Sequence, residues 1–281
     1  MKIGIIGASG LLGKSLCTEA LQMGFEIYRI GRLGSSDYSE CDALVDLEDI
    51  DSEILLPRLD YLIYSAQSSK FRDYPSGIKS VLQINAIAPY LIARRVQELG
   101  TKFIYLSSGS VYKNATNEVK ETDSILSDGE LTIYAGSKII AEQMLTSLDS
   151  PSTIYRPFFI FGPNNKRANL ISTIIERIRN QIAIEIDFEE GLFLNPIYCD
   201  DAARAILENL DSPLSLINLA GDQIISIKSM ATHFGEQLGI EPIFQPRFKA
   251  SDQKIIGDIT LLKSVGFQFK TKLIAGLNLM L

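Results

Sequence analysis

The sequence is poor in the residues on which metal sites and disulfide-bonded scaffolds depend. It has one histidine, three cysteines and no tryptophan in 281 residues. Because protein metal sites rely mainly on histidine, cysteine and clustered carboxylates, and no ligand-spaced cluster is present, we expect no metal ion. The cysteines are odd in number and far apart, which is typical of reduced cytoplasmic thiols. They are Cys17, Cys41 and Cys199.

Long apolar runs and an excess of positive charge are also absent. No stretch approaches the roughly 18 apolar residues that a membrane-spanning helix needs. Residues 1–6 lead directly into a glycine turn, so we expect neither a membrane anchor nor a signal peptide. The 27 basic residues face 34 acidic ones, and the net charge of −7 argues against a nucleic-acid partner. We expect a globular cytoplasmic protein, since 46% of the residues are hydrophobic.

Short apolar runs alternate with longer amphipathic stretches up to about residue 160. This alternation predicts strand–helix–strand units and a parallel sheet, the doubly wound α/β Rossmann fold. The predicted strands are Ile3–Ile6, Phe25–Ile30, Ala43–Val45, Tyr61–Tyr64, Phe103–Leu106 and Thr153–Tyr155, and the predicted helices are Leu11–Met23, Ile78–Leu99 and Leu131–Leu148.

The alternation of apolar runs and amphipathic stretches becomes less regular after Gly162-Pro163. We therefore expect a Rossmann domain over residues 1–163 and a small mixed substrate-binding part over 164–281, of which about 195–225 returns to the core. The elements predicted here are helices at Leu170–Asn180 and Asp201–Leu210 and strands at Leu192–Leu194 and Leu216–Leu219. An acid of the pair Asp200-Asp201 is expected to cap its helix.

A glycine-rich turn joins the first predicted strand to the first predicted helix. Glycine permits the tight turn and lets the backbone approach a pyrophosphate, which then lies on the positive end of the helix dipole. Because the GxxGxxG pattern stands at the junction where this chemistry needs it, it predicts a dinucleotide-binding loop. The loop comprises Gly7, Ala8, Ser9, Gly10, Leu11, Leu12 and Gly13.

The end of the second predicted strand indicates which dinucleotide is bound. Rossmann proteins that prefer NAD place an acid there to accept hydrogen bonds from a ribose hydroxyl. This chain has Gly31 at that point, followed by Arg32, whose guanidinium suits a 2′-phosphate. The pattern favours NADP and leaves NAD open, because Arg32 also fits a solvated loop.

A tyrosine and a lysine one helical turn apart are the candidate catalytic pair. Tyr134 and Lys138 begin a predicted helix and share one face. A nearby ammonium group favours the phenolate and is expected to lower the tyrosine pKa towards the working range. Ser107 and Ser108 follow a predicted strand, at the sheet edge where α/β proteins place their chemistry.

Together these motifs make the chain similar to the extended short-chain dehydrogenase/reductase family, also called the NAD-dependent epimerase/dehydratase family. The resemblance covers nearly the whole sequence. The matching segments are the GxxGxxG turn, Asp46-Leu47, Asp60, Asn85, Ser107–Tyr112, Tyr134–Lys138, Arg156-Pro157, Phe161–Pro163 and Asn195–Asp201.

The resemblance implies a role for each matched residue. Ser108 would orient the substrate oxygen, Tyr134 would be the acid–base group, and Lys138 would hold the nicotinamide ribose and lower the tyrosine pKa. Asp46-Leu47 would meet the adenine. The remaining implied cofactor contacts are Ser65, Ala66, Gln67, Asn85, Ser107 and Pro157.

The implied function is that of an NAD(P)-dependent oxidoreductase acting on a nucleotide sugar, by reduction of a 4-keto group. Dehydration is disfavoured, because Gly109-Ser110 replaces the acid pair that dehydratases carry. A nucleotide-sugar 4-epimerase with retained NAD and a non-catalytic NADP-binding sensor are the alternatives, and the intact catalytic trio argues against the sensor. Lys166 and Arg167 would bind a substrate diphosphate or belong to a solvated loop. The sequence does not identify the sugar. It also leaves the oligomeric state open, and a homodimer is one possibility.

Overall fold

The computed structural model describes residues 1–33, 41–50, 56–113, 118–126, 131–150, 152–163, 169–247 and 253–281. In chain order the elements are β1 (Lys2–Ile6), α1 (Leu11–Gln22), β2 (Glu26–Arg32), β3 (Ala43–Val45), β4 (Tyr61–Tyr64), α2 (Ile78–Leu82), α3 (Ala88–Gln97), β5 (Lys102–Leu106), α4 (Ile133–Thr146), β6 (Thr153–Pro157), β7 (Ile160–Phe161), α5 (Leu170–Arg179), β8 (Ile184–Asp187), β9 (Leu192–Leu194), β10 (Ile197–Tyr198), α6 (Cys199–Leu207), β11 (Leu216–Leu219), β12 (Ile225–Ser226), α7 (Ile227–Leu238), β13 (Phe244–Arg247), β14 (Gln253–Ile255), α8 (Thr260–Ser264) and α9 (Leu273–Asn278).

Seven strands form one sheet in the order β11-β6-β5-β4-β1-β2-β3, and every pairing is parallel. Helices α1 and α6 cover one face, and α3 and α4 cover the other. Burial on both faces explains why the central strands are almost uninterrupted apolar runs. The predicted Rossmann fold is confirmed. Its strand order reverses between β1 and β4, the position where such sheets bind ligands.

The helix predicted over Ile78–Leu99 is interrupted in the structure. Between α2 and α3 the backbone makes a π-helical turn over Gln83–Ile87. Pro89, in the first turn of α3, explains the break, because proline has no N–H group to continue an α-helical ladder. The prediction of one continuous helix is wrong at this point, and the turn holds Asn85 in the core.

Helix α6 also differs from the prediction. It begins at Cys199 with Tyr198 as its N-cap, and no side chain caps it. Asp201 does not act as a cap, since its carboxylate accepts hydrogen bonds from the backbone N–H groups of Lys270 and Thr271 at 3.0 and 2.8 Å. Helix α6 packs on α1, and the following strand β11 completes the large sheet beside β6.

The rest of the chain forms small sheets around a core of its own. Strand β9 pairs antiparallel with β12 and parallel with β14, while β8 pairs with β13 and β7 with β10. Their apolar side chains pack with those of α5, α7 and α9. Nowhere in the described ranges is a helix both long and apolar enough to cross a bilayer.

Candidate active site

The glycine turn after β1 is built for a close backbone approach. Gly7 has a φ of 88°, and its N–H donates to the Ile30 carbonyl at 3.1 Å. A Cβ atom at Gly13 would lie 2.1 Å from the Gly7 carbonyl oxygen, so only glycine lets α1 begin this close to the turn. The first turn of α1 therefore presents its free N–H groups at the sheet edge, an arrangement that favours a phosphate.

The end of β2 has no room for an acidic side chain. A Cβ atom at Gly31 would lie 2.6 Å from Cys41 Sγ and 3.2 Å from Leu44 Cδ2. The strand continues to Arg32, two residues beyond the predicted end, and the Arg32 side chain is exposed. The buried glycine position is thus closed by packing, and the exposed Arg32 places a positive charge at this strand end.

The loop after β4 lies against the glycine turn. A Cβ atom at Gly7 would come within 2.8 Å of the Ala66 backbone nitrogen, and Ser65 Oγ donates to the Ile6 carbonyl at 2.9 Å. Gln67 reaches the other side of the site, where its Oε1 accepts from the Tyr134 hydroxyl at 3.5 Å. The cofactor residues predicted on these two loops therefore adjoin one another.

Asn85 is fully buried behind this loop. Its Oδ1 accepts from the Ser68 backbone N–H at 3.0 Å, and its Nδ2 donates to Ser137 Oγ at 3.1 Å. Its side chain therefore ties the loop after β4 to α4. At the far end of the site, Asp46 is exposed while Leu47 is buried.

Ser108 and Tyr134 meet at the carboxyl end of β5. The Ser108 hydroxyl lies 2.9 Å from Ser110 Oγ and also accepts from the Ser110 backbone N–H at 3.1 Å. Burial raises the pKa of Tyr134, and a hydrogen bond with Ser108 opposes that rise. The phenol is therefore protonated at neutral pH and able to donate a proton.

Lys138 does not lower the tyrosine pKa as the sequence suggested. Its Nζ donates to the Leu106 carbonyl at 2.8 Å and lies 4.7 Å from the centre of the Tyr105 ring. Burial lowers the pKa of Lys138 itself to about 7, and the negative charge of Glu142 opposes the shift. The expectation failed because both Tyr134 and Lys138 lose hydration here, which disfavours the charged form of each.

Two aromatic residues near the site, Phe71 and Phe158, were not predicted from the sequence. The centre of the Phe71 ring lies 5.5 Å from that of the Tyr134 ring. The Phe158 ring packs against two glycines: a Cβ atom would lie 2.8 Å from it at Gly109 and 2.6 Å from it at Gly257. Phe158 directly follows the matched Arg-Pro segment, whereas no local pattern marks Phe71. With Phe158 in this position, a side chain at Gly109 has no space.

The predicted residues gather at one edge of the sheet. Ser107 is buried beside Ser108, and Pro157 ends β6 on the same edge. Lys166 and Arg167 lie outside the described residues. Across the described ranges, no group of three or more histidine, cysteine, aspartate or glutamate residues is arranged to hold a metal ion. The turn and the hydroxyl groups fit a dinucleotide, because the backbone N–H groups would face its pyrophosphate and the lysine would face its ribose.

A sequence model of the NAD dependent epimerase/dehydratase family matches residues 3–219. The chain belongs to this family. The resemblance seen in the motifs is confirmed, and the chain is an NAD(P)-dependent enzyme of the extended short-chain dehydrogenase/reductase type with a nicotinamide dinucleotide as cofactor.

Individual relatives are distant but cover most of the chain. The spore coat polysaccharide biosynthesis protein SpsK of Bacillus subtilis is 22% identical over 241 residues, which are 85% of this chain and 80% of that protein. The UDP-glucose 4-epimerase of Thermotoga maritima superposes with a TM-score of 0.81 at 20% identity, covering 100% of this chain and 97% of that one. The dTDP-4-dehydrorhamnose reductase of Bacillus anthracis, solved with NADP, gives 0.77 at 21% identity, with 98% and 96% covered. At this identity the superpositions establish the fold alone.

Proposed function

We propose that this member of the family is an NADPH-dependent reductase of a nucleotide-linked 4-keto sugar. The observation that carries the proposal is the end of β2, where the packing of Gly31 against Cys41 excludes an acid and Arg32 provides a positive charge. A 2′-phosphate suits a guanidinium, whereas an acid at this point suits the free hydroxyl of NAD. The sugar-nucleotide relatives support the substrate class.

The side chains at the sheet edge divide the proton chemistry between them. When bound, NADPH supplies the hydride. Ser108 holds the keto oxygen by a hydrogen bond, and Tyr134 donates its phenolic proton to that oxygen as the alcohol forms. The raised pKa of Tyr134 suits this direction, because the tyrosine starts protonated. Lys138 would hydrogen-bond the nicotinamide ribose of the bound cofactor and would carry positive charge beneath the site.

The substrate diphosphate would bind at the start of α5. Asn169 is the N-cap of this helix, and its Oδ1 accepts from the Ser172 backbone N–H at 2.9 Å. Its Nδ2 is buried, and among the described residues it has no hydrogen-bond partner. An unpaired donor at a helix N-terminus favours a phosphate oxygen. Lys166 and Arg167, which precede Asn169 in the sequence, would add charge to the same group.

Cofactor exchange separates a reductase from an epimerase. An epimerase must retain its dinucleotide between two half-reactions, whereas a reductase exchanges it at every turnover. We expect the dialysed protein to be largely free of dinucleotide and to oxidise NADPH stoichiometrically when a dTDP- or UDP-linked 4-keto sugar is added. Near-stoichiometric NAD after dialysis, with interconversion of sugar epimers and no added cofactor, would establish the epimerase instead.

Two variants test the assigned residues. Tyr134→Phe removes the proton donor with little change in volume, so turnover should fall by at least about 10²-fold while NADPH affinity stays near normal.

Arg32→Asp should reverse the preference for NADPH over NADH, because the carboxylate repels the 2′-phosphate. Near-full activity of the first variant, or equal dissociation constants of the unmutated protein for the two cofactors, would contradict the proposal.

A further inference from the structure

A buried carboxylate lies one helical turn beyond the lysine of the site. Tyr134, Lys138 and Glu142 follow one another at intervals of four residues along α4, so they form a single stripe on the helix. The Glu142 side chain is only 9% exposed, although nothing in the proposed proton transfer uses it. An acid buried this deeply needs partners to stay charged.

Glu142 obtains those partners from two neighbouring strands. Arg156 of β6 binds it in bidentate fashion, with Nε donating at 3.0 Å and Nη2 at 2.5 Å. The hydroxyl of Ser107, at the end of β5, donates to the same carboxylate. Arg156 is itself placed by the Tyr112 ring, whose centre lies 4.7 Å from the guanidinium carbon. The carboxylate is therefore fixed in place by three donors.

The surroundings of Lys138 offer little else to balance its charge. The ammonium donates to a neutral carbonyl and lies over the Tyr105 ring. Tyr105 of β5 and Tyr64 of β4, whose ring centres are 6.0 Å apart, are both fully buried and uncharged, since burial raises the pKa of each far above neutrality. Among the described residues, Tyr134 is protonated, and the salt bridge between Arg156 and Glu142 lies one helical turn beyond Lys138.

We propose that Glu142 is a positioning residue for the active site, whose carboxylate, fixed by Arg156 and Ser107, keeps the buried Lys138 as an ammonium ion in place beneath the cofactor. This inference rests on the proposed role of Lys138. The lowered pKa of Lys138 agrees with it, because Glu142 is the group that counteracts the cost of burial. Arg156 thus acts on the lysine indirectly, by holding the Glu142 carboxylate in position.

Titration of Lys138 in the free protein tests the proposal without substrate. The protein is labelled with ¹³C at lysine Cε, the Lys138 resonance is assigned with Lys138→Met, and its midpoint is measured by NMR. Glu142→Gln keeps the shape and removes the charge, so the midpoint should fall by about one pH unit or more, which is a tenfold or larger change in the protonation equilibrium. Glu142→Asp retains the charge and should keep most of the wild-type midpoint.

A second variant covers the case in which Glu142→Gln does not fold because Arg156 is left buried without a counter-charge. The double variant Glu142→Gln/Arg156→Met removes both charges of the pair, a replacement that buried pairs often tolerate. Its Lys138 midpoint should also lie below that of the wild type. An unchanged midpoint in either folded variant, or the same fall in Glu142→Asp as in Glu142→Gln, would overturn the proposal.

The pH dependence of NADPH oxidation gives a second readout. In the proposed role Lys138 acts as an ammonium ion, so activity should decline as the pH rises through the lysine midpoint, and Glu142→Gln should move that decline to lower pH. If no 4-keto sugar is reduced, the proposed function fails while the NMR titration still decides the role of Glu142. A purely structural role would lower the melting temperature and leave both midpoints in place.

Discussion

In the seven-stranded sheet, neighbouring strands are joined by backbone ladders, and side chains from both faces pack into two large apolar clusters. The part of the chain after β6 that lies outside this sheet is joined differently. Its strands are two to four residues long, and polar side chains tie its loops together over long sequence separations. Asn195, for example, brackets Gly257 with two hydrogen bonds, and Gln223 accepts from the Leu273 backbone N–H at 2.8 Å.

This contrast has a consequence for the site. The large sheet supplies the cofactor-binding turn and the candidate catalytic side chains. Its strands and helices are held by many backbone hydrogen bonds and apolar contacts, so the loss of one contact should not displace them. The wall opposite them, where Gly257 packs against Phe158, depends on a few polar side chains. Stability and substrate binding should therefore respond sharply to single polar changes after residue 195, and weakly to exposed polar changes at the sheet's edges.

The largest effect is expected at the buried ion pair that holds the C-terminal segment to α6. Asp201 binds Arg204 at 2.7 Å and accepts two backbone N–H groups, with both side chains at most 4% exposed. Asp201→Asn leaves the guanidinium without its buried counter-charge, so the free energy of unfolding should fall by about 3–5 kcal/mol. Glu208→Gln is the control, because Glu208 contacts the same arginine at 3.2 Å from a 40% exposed position. The free energy of unfolding is measured with urea for both variants. Equal losses in Asp201→Asn and Glu208→Gln would contradict the expectation that buried polar contacts in this part of the chain matter more than exposed ones.

A middle-sized effect is expected at Asn195. Asn195→Ala leaves the buried N–H and carbonyl groups of Gly257 and the Gly221 carbonyl without a partner, at a cost of about 1–3 kcal/mol. Because Gly257 packs on Phe158, the KM for the sugar should rise while the Kd for NADPH stays unchanged. Asn180→Ala, which removes an exposed hydrogen bond at the end of α5, is the matched control. Loss of NADPH affinity in Asn195→Ala would show that the wall and the cofactor site are not independent.

The smallest effect is expected at an exposed cluster on the large sheet. Asp211 binds Lys102 at 2.6 Å, and both side chains are more than 60% exposed, so Asp211→Asn should cost about 0–1 kcal/mol. Hydrogen bonds from Lys102 and Tyr61 lower the pKa of Asp211. Its contribution is therefore present above the ordinary carboxyl pKa and is lost as the pH falls through the lowered value. Wild type and variant should converge in stability in acid and in high salt, and a difference that persists there would contradict this.

Local sequence rules predicted the sheet well because the relevant forces are local. The central strands are apolar runs, and the glycine turn and the Tyr134–Lys138 spacing are readable within a few residues. The predictions that failed involve competition or distance. Pro89 outweighs the amphipathic pattern of its helix, and Asp201 binds backbone groups about 70 residues away instead of capping α6. The roles of Ser108, Tyr134, Lys138 and the other site residues, the domain boundary and the cytoplasmic location stay predictions.

The sequence by itself determined the Rossmann fold, the family and the set of candidate catalytic groups, because periodicity and short motifs encode local geometry. Only the tertiary structure decided the electrostatics of those groups. Burial disfavours the charged forms of both Tyr134 and Lys138, and for Lys138 it is opposed by Glu142, which is held by Arg156 from another strand. Likewise, Gly31 and Gly109 exclude acids because Cys41 and Phe158 pack against them from elsewhere in the chain. Hydration and close packing are properties of the assembled core, and no window of sequence contains them.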